Sequence, residues 1–270
     1  MLLTERPRAG PTRWSSDEPT DARGWDKRMP EHTDTMSLLA GLASDVAADL
    51  LRQAQRRTVR ADAVLFTAGD PARSVHVLAS GAVKLVQAMS GGGQVIVKYV
   101  RPGEVFGSPA LLDRFYPTSA IAVTECAELQ WSSETMRTLI ERHPRVALNV
   151  IGDLEARLRE MEGRLRDLSK EPVEHRLARA ILKLVDTFGR QTGDSVEIPF
   201  PVGRQDLADL IGSTLPTVSR TLRAWETQRQ IRRHRRRLVI ANVEAVARVL
   251  YEETPPEPKP RRSHRRAARR

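Results

Sequence analysis

Six apolar residues constrain this chain more than any other feature in it. Ile151, Leu154, Leu158, Met161, Leu165 and Leu168 recur at intervals that alternate between three and four residues. That is the seam of a heptad helix. Its flanks are charged: Glu155, Arg157, Arg159, Glu160, Glu162, Arg164, Arg166 and Asp167. A helix packed on its own domain usually carries a wider apolar face. The narrow stripe therefore predicts a dimerisation helix over residues 145–170 that pairs with a second copy of the chain. Packing within the chain is the alternative. Glu171-Pro172 then breaks the helix and forms a hinge.

What precedes this helix reads differently. Residues 1–35 contain Pro7, Pro11, Pro19 and Pro30 with charges of both signs, the pattern of a disordered extension. Trp14 and Trp25 stand out in it without a role. Leu38, Leu39, Leu42, Val46 and Leu50 begin a helical segment. From Thr58 the period shortens. A strand is expected over Thr58–Val64–Phe66, with a turn at Gly69-Asp70. Further strands follow through Val75–Ala79, Val83–Gln87 and Val95–Tyr99, punctuated by Gly81 and Gly91-Gly92-Gly93, and later at Ala120–Ala122 and Leu129–Trp131. Many short strands with glycine turns predict a small antiparallel roll over 36–144. Ser133 is placed as a helix cap, and Pro144 in the first turn of the next helix.

After the hinge, residues 171–254 form a second domain. Leu207, Ala208 and Ile211 mark one short helix, and Val218, Leu222 and Trp225 the buried face of another. Gly212 lies between them, where a tight turn needs a residue tolerant of positive φ. Ser213 or Thr214 can cap the second helix, and Pro216 fits its first turn. This is helix-turn-helix spacing. Thr217, Ser219, Arg220 and Arg223 remain on the outer face, where Arg can reach guanine and Ser or Thr can reach phosphates or base edges. Arg204 and Gln205 open the first helix. A basic hairpin follows, with Arg232, Arg233, Arg235 and Arg236 suited to phosphates.

Charge matters here because of where it sits. The chain has 270 residues and a net charge of +10. Residues 201–240 carry a surplus of six positive charges and the Pro/Arg-rich tail 255–270 another six, so the remainder is slightly negative. The tail is read as a disordered basic end. Double-stranded DNA is the expected partner. A single cysteine, Cys126, excludes a disulfide framework and a cysteine-rich metal site, so no metal is expected. No apolar run approaches a membrane span, and the expectation is a cytoplasmic protein with no membrane partner. No phosphate-binding loop, spaced metal set or nucleophile–base pair points to an enzyme.

Together these segments resemble the Crp/Fnr family of bacterial transcription regulators over residues 36–250. The resemblance is carried by Phe66, Gly69-Asp70, Val75-His76-Val77-Leu78, Gly81 and Pro102-Gly103-Glu104-Val105-Phe106-Gly107, by the heptad helix, and by Arg204–Ala208 with Thr217-Val218-Ser219-Arg220. It implies an α+β fold: a cyclic-nucleotide-binding-like β-roll, a long dimerisation helix and a C-terminal winged helix-turn-helix. It also implies a homodimer on a two-fold operator, and regulation by contact with RNA polymerase or by blocking it. The effector-pocket candidates are His76, Gly103, Glu104, Phe106, Gly107, Ser108, Thr118 and Ser119.

This chain departs from the family's cyclic-nucleotide cassette at two positions. Ser108 stands where nucleotide binders carry a Glu for the ribose, and Thr118 where they carry an Arg for the phosphate. A buried phosphate without a cationic partner is costly, so the expectation is against a cyclic nucleotide. The lone cysteine excludes an Fnr-style iron–sulfur sensor. Haem, with His76 as axial ligand, is retained as an alternative, as is a constitutive or architectural DNA-binding protein. Pro216 replaces a Glu common in family recognition helices, which predicts an altered operator at the position that Glu would read.

Overall fold

The computed structural model describes residues 36–90, 92–234 and 236–251. The extension 1–35 with Trp14 and Trp25, the tail 255–270, and Arg235 lie outside these residues. A 3-10 turn, Ser37–Leu39, leads into helix α1 (Ser44–Arg52). Eight strands follow: β1 (Gln55–Val59), β2 (Val64–Phe66), β3 (Ser74–Ser80), β4 (Val83–Ala88), β5 (Gln94–Val100), β6 (Val105–Phe106), β7 (Ser119–Ala122) and β8 (Cys126–Ser132).

These strands form two antiparallel four-stranded sheets, in the orders β1-β8-β3-β6 and β2-β7-β4-β5. Val59, Leu78, Val83, Leu85, Val100 and Phe106 come from both sheets and form one core between them. The other face of the first sheet is covered by helical segments around Trp131, Met136 and Leu139, all at most 1% exposed. Trp131 Nε1 donates to the Leu50 carbonyl at 2.9 Å, which satisfies the one polar group of a fully buried ring.

Two local expectations change. The strand expected across 58–66 is two strands, because Asp62 turns the chain with φ 65°. A left-handed turn on Asp rather than Gly is hard to see in sequence. Helix α2 (Ser133–Arg142) is capped by Ser132, not Ser133: the Ser132 hydroxyl accepts from the Thr135 amide at 3.0 Å.

Helix α3 (Arg145–Lys170) has two faces. One lies on its own roll, with Val146 and Val150 buried. There Asn149 Nδ2 donates to the carbonyls of Leu38 and Ala40, each at 2.9 Å, and Ser37 Oγ donates to Asp153 Oδ2 at 2.6 Å. The other face carries the heptad residues, which stay largely exposed among the described residues. Ile151, Leu154, Leu158, Met161 and Leu165 are between 44% and 69% exposed. Leu148, not part of the sequence stripe, is equally bare. The Leu168 side chain lies outside the described set.

Pro172 ends this segment and caps α4 (Val173–Phe188), which buries Leu177, Ala178, Ile181 and Leu184. Strands β9 (Arg190–Thr192) and β10 (Ser195–Pro201), helices α5 (Arg204–Ile211) and α6 (Leu215–Thr227), strands β11 (Ile231–His234) and β12 (Arg237–Ile240), and helix α7 (Val243–Arg248) complete the fold. The last sheet runs β11-β12-β10-β9. Helix-turn-helix followed by a β-hairpin is the winged arrangement.

Candidate nucleic-acid interface and effector cleft

The turn between α5 and α6 depends on Gly212, whose φ of 62° is left-handed and free of strain only for glycine. Thr214 then caps α6, accepting from the Thr217 amide at 3.4 Å, and Pro216 occupies the first turn. Val218, Thr221, Leu222 and Trp225 are buried, so the helix can present only its opposite side. Leu215, Pro216, Ser219, Arg220 and Arg223 line an open concavity of about 480 Å³ on that side. Arg220 and Arg223 are exposed. Thr217 is half-buried, its hydroxyl 2.9 Å from the Thr214 hydroxyl, so it belongs to the cap as much as to the outer face.

The basic residues expected on the DNA side divide into two groups. Arg232 and Arg236 are exposed on the hairpin, Arg236 in its left-handed turn. Arg233 donates to the Val202 carbonyl, and burial, then the neighbouring Arg204, lower its pKa. Arg204 Nη2 lies 3.2 Å from both carboxylate oxygens of Glu226, at the far end of α6. Gln205 is exposed, but its amide donates to Asp209. Arg204 and Gln205 are thus engaged inside the domain, and Glu226 is the partner that the sequence did not suggest. Arg237 is also engaged, 3.0 Å from Glu197.

The effector candidates do not gather around one space. Glu104, Phe106 and Ser108 line a small cleft between the roll and α3, with Lys98 opposite and Val150, Asp153, Leu154 and Arg157 on the helix side. Its free volume is about 20 Å³, room for about one water. Lys98 pairs with Glu104 across it. Burial pushes the Asp153 carboxyl above the usual range, and burial lowers the Arg157 guanidinium.

The remaining candidates lie elsewhere. Gly103 sits in a turn with φ 88°, and its carbonyl accepts from the Ser37 amide at 3.0 Å. Thr118 is buried, and Ser119 Oγ accepts from the Ala68 amide at 2.9 Å.

His76 belongs to a buried cluster that shares Phe106 with the cleft. It is 2% exposed on β3, opposite Phe106. Its Nδ1 is 3.0 Å from Glu128 Oε2, and Glu128 Oε1 is 3.1 Å from an Arg57 guanidinium nitrogen. The imidazole stacks on Phe106 at 5.0 Å and lies 5.4 Å from Phe66. A Cβ at Gly107 would fall 2.8 Å from His76 Cδ2 and 2.9 Å from the Ser74 carbonyl. An axial haem ligand needs an open slot for the macrocycle. The His76 ring is enclosed, so the residues do not fit a haem there, and that alternative is set aside. Among the described residues no cluster of His, Cys, Asp or Glu could hold a metal ion, and no helix is long and apolar enough to cross a membrane.

Comparison with known proteins converges on the same architecture. Residues 56–143 match the cyclic nucleotide-binding domain family, and residues 175–249 match the Crp-like helix-turn-helix domain family. The chain is 35% identical to a cyclic AMP receptor protein of Thermus thermophilus over 72% of this chain and 88% of that one. It is 31% identical to a global nitrogen regulator of Synechococcus elongatus, over 68% and 84% respectively. Among solved structures it is similar to a CRP-family transcriptional regulator, also of Thermus thermophilus, with a TM-score of 0.64 at 22% identity over 73% of this chain and 97% of the other.

Proposed function

Because the chain belongs to the Crp/Fnr family of DNA-binding transcription regulators, we propose that it acts as a homodimer that reads a two-fold operator. The subunits pair along α3, and the two α6 helices enter successive major grooves. In this reading residues 36–144 are the effector-type roll, 145–170 the dimer helix and 171–254 the DNA-reading domain. The observation that carries it is the bare stripe of α3, five heptad residues at 44% or more exposure on a helix whose opposite face packs on its own roll through Val146 and Val150. Leaving that much apolar surface in water is unfavourable by roughly 25 cal/mol per Å², and a second copy of the same stripe covers it with a/d packing.

Arg220, Arg223 and Ser219 are assigned to base edges, and Arg232, Arg233, Arg235 and Arg236 to phosphates. Arg204 ties the two helices together through Glu226, Gln205 braces Asp209 within α5, and both are also assigned to the DNA backbone. RNA polymerase is the proposed further partner. Sedimentation across a concentration series and footprinting on genomic fragments test the reading. A dimer protecting a discrete palindrome is expected. A monomer, or diffuse coverage with steep salt dependence, overturns it.

A second reading concerns control. The cleft beside Ser108 has room for about one water and is bridged by the Lys98–Glu104 pair. That favours DNA binding without a bound effector in this conformation. An effector would act only by binding a second conformation better than this one. Ser108 and Thr118 argue against a cyclic nucleotide as that effector. Operator affinity unchanged by added cyclic nucleotide is the expected result, and a tenfold gain would overturn it.

A further inference from the structure

The DNA-reading domain is not attached to the rest of the subunit through Pro172 alone. Ala82, Val86, Ile96 and Tyr99, from the β4–β5 hairpin, are buried in one apolar cluster with residues of α4, β10 and α5. Tyr99 is 8% exposed. Its ring lies 5.6 Å from Phe200 and 6.4 Å from Phe188, and those two rings meet edge to face at 5.0 Å. Two polar pairs join the same elements. Lys84 Nζ is 2.8 Å from Asp206 Oδ1, and Gln94 Nε2 donates to Asp209 Oδ2 at 3.1 Å.

We propose that Lys84, Gln94 and Tyr99 are positioning residues that set the spacing between the two operator half-sites. The proposal rests on the dimer reading above. A continuous series of packed contacts runs from the dimer stripe to the recognition helix without passing through the hinge. The stripe is on α3, and α3 is fastened to its roll through Val150, Asn149 and Asp153. The roll grips α5 through Lys84 and Gln94, and α5 packs on α6. The grip uses the Asp206 and Asp209 side of α5, while the outer face of α6 stays open. Docking is therefore compatible with DNA contact.

Two domains held this way have one separation and one relative twist. A half-site displaced by one base pair shifts by about 3.4 Å and rotates by about 36°, which a domain on a free hinge could follow and a gripped one cannot.

The test is binding to a panel of duplexes carrying two half-sites at centre-to-centre spacings from about 8 to 13 base pairs, with a single half-site as reference. Wild type is expected to prefer one spacing by about tenfold or more over its neighbours. Lys84→Ala/Gln94→Ala is expected to flatten that preference to within about threefold and leave single half-site affinity unchanged. Lys84→Glu, which faces Asp206 with a like charge, should do the same. Circular dichroism confirms that each variant folds. A variant that keeps the wild-type spacing preference overturns the proposal, as does one that loses single half-site affinity to the same degree. A wild-type chain that sediments as a monomer, or binds paired half-sites no better than single ones, overturns the dimer reading instead. That outcome appears before any variant is compared.

Discussion

Arg204 at the start of α5 and Glu226 near the end of α6 are 22 residues apart in the chain and joined by a guanidinium nitrogen 3.2 Å from both carboxylate oxygens. Their side chains are 24% and 29% exposed, so water screens the pair only in part. It ties the first turn of α5 to the last turn of α6. Arg204→Ala and Glu226→Ala are each expected to lower stability, with a coupling of about 0.5–1 kcal/mol in a double-mutant cycle. Glu226→Gln, which keeps the side-chain shape and removes only the partner charge, should weaken operator binding as Arg204→Gln does. If only the Arg204 variant weakens binding, Arg204 acts on phosphate rather than through the helix pair.

Leu158→Glu probes the stripe. Leu158 is 57% exposed within the subunit, so the variant should keep the wild-type circular dichroism spectrum. Each Leu buried across a dimer seam contributes about 1.5–3 kcal/mol, and the symmetric pair is lost twice. The dimer dissociation constant should rise at least roughly 100-fold by sedimentation, and operator affinity should fall with it. A dimer of unchanged strength would move the interface elsewhere.

Two arginines of the DNA-reading domain should fail in different ways. Arg220→Ala removes the side chain assigned above to a base edge and, on that reading, should relax preference at one base pair per half-site by about 1–3 kcal/mol. Arg232→Ala, on the hairpin, should weaken all sequences alike and reduce the salt slope by about 0.9 per subunit. Competition binding at several salt concentrations separates the two. A uniform loss for Arg220→Ala would return it to the phosphate class.

Glu160 predicts a pH dependence. Burial opposes its ionisation, but Lys183 and Arg164 outweigh it and hold the carboxyl below the usual range. A depressed carboxylate contributes stability that is present above its unfolded pKa, about 4.3 for Glu, and lost as pH falls through the folded value. Glu160→Gln should therefore lower stability at neutral pH by about 0.5–1 kcal/mol and flatten the acid limb of the melting curve. Asp153, raised by burial, has the opposite sign: its contribution is lost as pH rises through the folded value. A Glu160→Gln protein with an unaltered acid limb would show that its partners do not stabilise the charge.

Gly107 has φ 76°, and a Cβ there would meet both the His76 ring and the Ser74 carbonyl at under 3 Å. Gly107→Ala should cost about 1–3 kcal/mol, read as a lower midpoint in urea. An unchanged midpoint would mean that β3 and the loop after β6 separate freely.

The features legible in the sequence are those written in consecutive residues. The stripe of α3 and the buried face at Val218, Leu222 and Trp225 obey a helical period, and Gly212 with a cap at Ser213 or Thr214, of which the structure uses Thr214, marks the turn between helices. The grouping of the effector candidates was not legible in this way. Phe106 touches both the cleft and the His76 ring, Gly107 turns the chain against that ring, and buried Thr118 and hydrogen-bonded Ser119 sit elsewhere, contacts that no local period records. Polar pairs across the fold leave no local trace either. Glu128 beside His76 is 52 residues away, and Asp206 beside Lys84 is 122. Left-handed turns on Asp62 and Arg236 lack the glycine that would announce them.

The 26 residues of α3 offer one face to their own roll and leave the other for the second copy proposed above. For a protein that reads DNA as a pair, as proposed, this has a cost and a use. Newly made chains carry an oily strip until they meet a twin, so synthesis at low copy number leaves few assembled readers. Where assembly is weak, promoter occupancy grows as the square of the number of chains, and halving gene dosage cuts occupancy about fourfold. A helix with one bare face thus turns a modest change in expression into a steep change in output.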